Sequence, residues 1–201
     1  SGINFSVIAF GDEPELDEME EERCGGHWKP MKMKEIAKFA EIERFHCLGD
    51  RKLLNYLKTR ENELAIQGDV GAIIKEKLIQ QFSQGIVNFH PGDLPAYRGC
   101  MALEWQILEH KPVVCTAHFV DKRIDTGPII AKQELSVSYK SYHWTRASLY
   151  PEVAKFVANF VKNYSKEQYL TAVDQDSGIY REPMREADLN VVKALIKSRG
   201  S

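Results

Sequence analysis

Between Gly85 and Ile130 the 201-residue chain gathers the groups best suited to chemistry: an amide, two imidazoles and several carboxylates near glycine turns. Asn88 lies in an apolar run, Gly85 to Phe89, that reads as a strand, and His90 follows that run two residues after Asn88. Side chains two apart share a face, so the amide and the imidazole project together if the strand reaches His90. Pro91 donates nothing to a ladder and Gly92 permits a turn, so the strand ends there. This pair suits acyl transfer. Amine attack on a carbonyl makes an oxyanion that an Asn88 N–H stabilises. The attacking nitrogen loses a proton and the leaving nitrogen gains one, and an imidazole with a pKa of about 6.5 serves both steps near neutrality. A carboxylate beside His90 would orient it, and Asp121 and Asp125 are the local candidates. No serine or cysteine stands beside a base, which favours direct transfer without an acyl-enzyme. On spacing alone, His90 reads equally as a loop residue capped by a backbone carbonyl.

The flanking sequence supplies the elements that must hold these groups. Ile3 to Gly11 is apolar on both faces, the mark of a covered parallel strand. Met33, Ile36, Ala37 and Ala40 line one helical face. Further strands are expected at Arg44–Gly49 and Leu64–Ile66, and helices around Leu53–Leu57 and Ile74–Phe82. Past Gly99, a helical stripe of Met101, Trp105 and Leu108 precedes Pro112, with Trp105 read as packing. Val113–Val120 and Gly127–Val137 read as strands joined by a short turn, suited to antiparallel pairing at a sheet edge. Tyr139–Asn163 reads as a helix that Pro151 kinks or begins. A weak strand at Tyr169–Val173 and a helix at Asp188–Ser198 close the chain. Alternating strands and helices predict an α/β fold with a mostly parallel sheet.

Composition narrows the function classes. A net charge of −2 argues against an obligate nucleic-acid binder. No apolar run reaches the roughly 20 residues of a membrane span, and no leader is evident at Ser1. Cys24, Cys47, Cys100 and Cys115 are scattered, as in a reduced cytoplasmic protein. Cys24-Gly25-Gly26-His27 has no matching second pair and reads as a loop rather than a metal half-site; no metal is expected. Asp12–Glu22 carries eight carboxylates and reads as a solvated face.

Asn88-Phe89-His90-Pro91-Gly92, Leu94-Pro95, Tyr97-Arg98-Gly99, Thr116-x-His118 and Ile124-Asp125-Thr126-Gly127-Pro128-Ile129, in this order, resemble the core of the folate-dependent formyltransferases. That family includes phosphoribosylglycinamide, methionyl-tRNA and sugar N-formyltransferases. The resemblance is strongest over residues 85–137 and weaker over 31–84 and 138–163. It implies a Rossmann-like domain with N10-formyltetrahydrofolate as co-substrate, a core at 31–163 and a C-terminal extension at 164–201. It puts the catalytic residues at Asn88, His90 and Asp125, with Asp125 orienting His90 and ordering a relaying water. The loop Asp121, Lys122, Arg123, Ile124 and Asp125 would meet the pterin. His118 matches a supporting histidine, or is an edge-strand polar residue. Tyr97 and Arg98 are supporting candidates; Arg98 contacts an anionic substrate group or pins its own loop.

Two departures matter. Gly92 stands where many members carry serine. Ile3–Gly11, followed by the acidic segment, looks like the family's second strand, so the first strand–helix unit, which helps bind the acceptor, looks missing or altered. The expected activity is formyl transfer to a primary amine of a small molecule, with an amino-sugar nucleotide as the first candidate. The alternatives are a formyltetrahydrofolate deformylase and a diverged, non-catalytic folate binder. A homodimer is a further expectation from an open sheet edge.

Overall fold

In the computed structural model, residues 5–10, 24–28, 31–68, 73–164 and 171–200 are described. They fall in two compact units, Ser1–Glu61 and Asn62–Ser201.

In the first unit, β1 (Ser6–Phe10) pairs in parallel with β2 (Glu41–Phe45). The ends of the expected Ile3–Gly11 strand and the acidic Asp12–Glu22 segment lie outside the described residues. The strand expected at Arg44–Gly49 is β2 and begins earlier, at Glu41. The chain turns after Phe45, where the Asp50 N–H meets the Cys47 carbonyl at 3.1 Å. Helix α1 (Met33–Ile36) is a single turn. Helix α2 (Arg51–Lys58) buries Leu53 and Leu57, and its N-cap Asp50 accepts from the Lys52 N–H at 2.9 Å.

The second unit is built on a four-stranded sheet ordered β3 (Ala65–Gln67), β4 (Ile86–His90), β6 (Val114–Phe119), β7 (Ile129–Glu134). β3 and β4 are parallel, while β6 runs antiparallel to both β4 and β7. The antiparallel pairing expected at an edge is therefore present at β7, and it also reaches inward to β4. A parallel pair of β5 (Arg98–Gly99) and β8 (Tyr180–Arg181) lies apart from this sheet. The helix expected through Ile74, Leu78 and Phe82 shrinks to the turn α3 (Glu76–Ile79), and Gly85 at φ 83° leads into β4. Of the expected Tyr169–Val173 strand, residues 169–170 lie outside the described set, and Val173 forms an isolated bridge with Ile129.

The core gathers Val87 and Phe89 of β4, Leu103 and Ile107 of α4 (Ala102–Leu108), Phe156 and Phe160 of α5 (Tyr142–Asn163), and Val192 and Ile196 of α6 (Glu186–Arg199). Phe89 meets Phe156 and Phe160 edge-on, with centroids 5.2 Å apart in each case. Helix α5 starts at Tyr142, where Ser141 accepts from the Trp144 N–H at 3.1 Å, and runs on through Pro151, so Pro151 is not its start. Trp105 is less simply a core residue than its spacing implies. Its ring lies 5.2 Å from the Arg181 guanidinium, and its Nε1 donates to the Glu182 carbonyl.

One buried ion pair locks α4 to α5. Glu104 is 1% exposed; it pairs with Arg146 and accepts from the Tyr142 hydroxyl at 3.0 Å. Burial and Glu104 push the Tyr142 phenol up to about 12. Removing one member of such a pair leaves an uncompensated charge. Arg146→Met is expected to cost about 3 kcal/mol, the lower end for such losses because Arg146 is partly exposed. The urea unfolding midpoint of the variant measures this.

Candidate active site

The face of β4 opposite the core carries Asn88 and His90. In the β4–β6 register Asn88 lies across from His118, and His90 across from Thr116. Directly opposed residues share a face, so one amide, two imidazoles and one hydroxyl line a single patch. Asp125 enters this patch from the β6–β7 connection. Its backbone is left-handed, at φ 52°, a conformation that an aspartate tolerates better than most residues.

The four side chains converge. Asp125 Oδ2 lies 3.4 Å from His90 Nδ1, and Oδ1 lies 3.5 Å from His118 Nε2. Asn88 Nδ2 is 3.3 Å from His118 Nε2 and 3.5 Å from Asp125 Oδ1. The Gly99 N–H donates to Asp125 Oδ2 at 2.9 Å. A backbone carbonyl only accepts, which fixes both rings. His90 Nε2 carries hydrogen because it meets the Tyr97 carbonyl at 2.6 Å; its Nδ1 therefore faces Asp125 with a lone pair when the ring is neutral. His118 Nδ1 carries hydrogen toward the Phe119 carbonyl at 2.9 Å, and its Nε2 lies within reach of both the Asn88 amide and Asp125 Oδ1.

His90 ends β4 rather than lying in a loop, and it has both a carbonyl cap and a carboxylate neighbour. Burial dominates its pKa and lowers it from 6.5; the Asp125 carboxylate and Tyr97 carbonyl push upward, and His118 adds to the lowering. For Asp125, burial alone would raise the carboxyl. The His118 and His90 rings and the Gly99 N–H outweigh it and hold the carboxyl below its usual range. The arrangement is a neutral base facing a permanent carboxylate. A proton landing on Nδ1 would be held between them.

Both shifts act on stability with the same sign. With the folded His90 pKa below 6.5, the unfolded chain takes up that proton first, so stability is complete above this value and declines as pH falls below it. The Asp125 contribution is present above the unfolded carboxyl value of 3.8 and is lost as pH falls through the lower folded value. Melting temperature is therefore expected to fall between pH 7.5 and 5.5, and His90→Asn to flatten that slope. An equal slope in the variant contradicts this.

The supporting residues divide. Tyr97 is buried and holds His90 through its carbonyl, while its hydroxyl donates to Glu109 at 2.7 Å. Arg98 is engaged by its surroundings: it donates to Gln175 Oε1 at 2.9 and 3.2 Å and to the Asp176 carbonyl at 2.9 Å. Of its two readings, the pinning one has these contacts. In the loop 121–125, Asp121 accepts from the Arg123 N–H at 2.9 Å and from the Thr126 hydroxyl at 2.6 Å, so its carboxylate organises the loop. Lys122 lies 3.6 Å from Glu76, and Ile124 is exposed.

Gly92 stands tight against the imidazole. A Cβ there would lie 2.5 Å from His90 Nε2 and 2.7 Å from the Tyr97 carbonyl. In this chain the absence of a side chain at 92 lets the His90–Tyr97 contact form.

Sequence reasoning missed Gln106 and Gln175, and it noted Thr116 only as part of the Thr116-x-His118 motif. Thr116 Oγ1 donates to the Gly92 carbonyl at 2.7 Å and accepts from the Leu94 N–H at 3.2 Å. Gln106 binds the Pro91 carbonyl and the Asp93 and Val114 N–H groups. Both are fully buried and clamp the loop after His90. For Gln106 the signal in the sequence was a polar residue at a core position of an otherwise apolar helix.

A family model described as formyl transferase matches residues 24–160. A methionyl-tRNA formyltransferase of Ruminiclostridium cellulolyticum is 32% identical over 79% of this chain and 50% of its own length. A phosphoribosylglycinamide formyltransferase of Bacillus subtilis is 32% identical over 44% of this chain and 46% of its own. With 45% of the Thermodesulfovibrio yellowstonii methionyl-tRNA formyltransferase also matched, the chain spans about half the length of these relatives. In fold, the formyltransferase PseJ from Anoxybacillus kamchatkensis, solved with UDP-4,6-dideoxy-4-formamido-L-AltNAc and tetrahydrofolate, superimposes with a TM-score of 0.58 over 88% of this chain and 85% of that one, at 20% identity. The fold, the convergent side chains and the match over most of the sequence lead to one conclusion: the chain belongs to the formyl transferase family.

Proposed function

We propose that the chain carries formyl from N10-formyltetrahydrofolate to a primary amine, by direct attack at the Asn88–His90–Asp125 site. The observation that supports it most is the closure of Asp125 on His90 Nδ1 at 3.4 Å while Nε2 is fixed on Tyr97. The amine nitrogen forms a bond to the formyl carbon and the carbonyl oxygen becomes an oxyanion. The Asn88 bonds at 3.3 and 3.5 Å are long, so its N–H can be redirected to a full oxyanion. The proton released by the amine is stored on His90 Nδ1 against Asp125. It then passes to N10 of the folate as the carbon–N10 bond breaks. The loop 121–125 would meet the pterin, as the resemblance to folate-dependent formyltransferases implies.

For the acceptor, the first reading is an amino-sugar nucleotide. It rests on the likeness to PseJ, which was solved with a formamido-sugar nucleotide. A second reading, an amine carried on tRNA, is favoured by the sequence relatives, which are methionyl-tRNA formyltransferases. Incubation with N10-formyltetrahydrofolate and either amino-sugar nucleotides or aminoacylated initiator tRNA separates them by which product gains the mass of a formyl group. Formate release without any acceptor would instead indicate a deformylase.

A further inference from the structure

Gln175 lies beyond the residues that match the family model, 50 positions after Asp125. Its side-chain amide is nevertheless bound into the candidate site. Nε2 donates to the Gly127 carbonyl at 2.6 Å and to the Asp125 carbonyl at 3.2 Å. Oε1 accepts twice from Arg98, at 2.9 and 3.2 Å. A glutamine offers two donor hydrogens and one carbonyl oxygen, and all are used here. Glutamate would lose both donors and lysine would lose the acceptor, so neither can make this set.

The two carbonyls it holds bracket the turn that aims the carboxylate. Asp125 sits there at φ 52°, and a Cβ on Gly127 would lie 1.8 Å from the Phe119 carbonyl. The same C-terminal stretch supports the carboxylate by a second route. Tyr180 and Arg181 pair with Arg98 and Gly99, whose N–H donates to Asp125 Oδ2 at 2.9 Å. Gly178 fits against Pro95, where a Cβ would meet the Pro95 carbonyl at 2.1 Å. Backbone and side chain of Asp125 are thus both fixed from residues 175–181.

We infer that Gln175 is a positioning residue for the proposed formyl transfer, holding the Asp125–Gly127 turn to Arg98 so that the Asp125 carboxylate faces His90. The role rests on the proposed function. Gln175 touches neither His90 nor Asn88; it acts through the backbone of Asp125.

The test is Gln175→Met, which keeps length and removes every one of these bonds. Two readouts are needed: the His90 titration midpoint by NMR, and kcat against KM for N10-formyltetrahydrofolate. His90 is faced by Asp125, His118 and the Tyr97 carbonyl, and Asp125 is the one ionised neighbour that raises its midpoint. With the turn released, the midpoint is expected to fall. A misplacement of about 1 Å costs on the order of 100-fold in rate, so kcat is expected to fall about 10- to 100-fold while KM stays within about twofold. A folded variant with the wild-type midpoint, or with wild-type kcat, overturns the role. Should the wild-type protein transfer no formyl group, the proposed function fails, and the midpoint alone still decides whether Gln175 positions Asp125. Should Gln175→Met not fold, Arg98→Met removes the two bonds at Oε1 and is read in the same way.

Discussion

His90→Ala is expected to lower the turnover of formyl transfer by about 100- to 10,000-fold, the usual worth of a positioned general acid–base. The variant removes a buried imidazole whose pKa is held below 6.5 and whose Nδ1 faces a carboxylate. Affinity for N10-formyltetrahydrofolate should change little, because the loop 121–125 is organised by Asp121 and not by His90. In the wild-type protein the rate should decline only as pH falls below 6.5, where a lowered His90 begins to protonate. In His90→Ala that acid limb should vanish from the residual rate. Turnover in His90→Ala equal to wild type removes His90 from the mechanism.

Gly127→Ala is expected to be the most damaging single-methyl change in the site. The added Cβ would lie 1.8 Å from the Phe119 oxygen and 2.8 Å from its carbonyl carbon, both backbone atoms that no rotamer change can move. That oxygen is also the acceptor for His118 Nδ1. Relief requires the Asp125–Gly127 turn to shift, which moves the carboxylate away from His90. A cost of about 3 kcal/mol, the upper end for overpacking, is expected, together with loss of activity. Thermal unfolding and turnover of the variant check both parts. A stable, fully active Gly127→Ala would show that the turn has room that the geometry denies it.

The closeness of Asn88, His90 and Asp125 is legible in the sequence. β4 is short and buried; it runs Ile86–His90 where Gly85–Phe89 is expected, and it does reach His90, so Asn88 and His90 share one face. The Asp125 turn announced itself through Gly127 and Pro128. The pairing of Asn88 with His118 depends on the β4–β6 register, which no single strand carries in its sequence. Gln175, Gln106 and the loop-holding role of Thr116 were invisible for a related reason. Each binds backbone groups from distant segments, and such bonds leave no periodic trace. At β2 the expected strand was misplaced because charged Glu41 and Glu43 conceal a strand whose burial rests on Ile42 and Phe45. Helices α1 and α3 came out as single turns although apolar residues recur at helical spacing around them. Short helices owe their stability to tertiary packing more than to pattern.

The account's central claim is direct formyl transfer at the site where Asn88, His90 and Asp125 meet. Its most direct test uses N10-formyltetrahydrofolate labelled with 13C in the formyl carbon, an amine acceptor and NMR detection of the label. The label is predicted to appear in the formamide of the acceptor with the wild-type protein and to stay on the folate with Asn88→Ala. Label released as formate in the presence of acceptor, or equal transfer by Asn88→Ala, would contradict it.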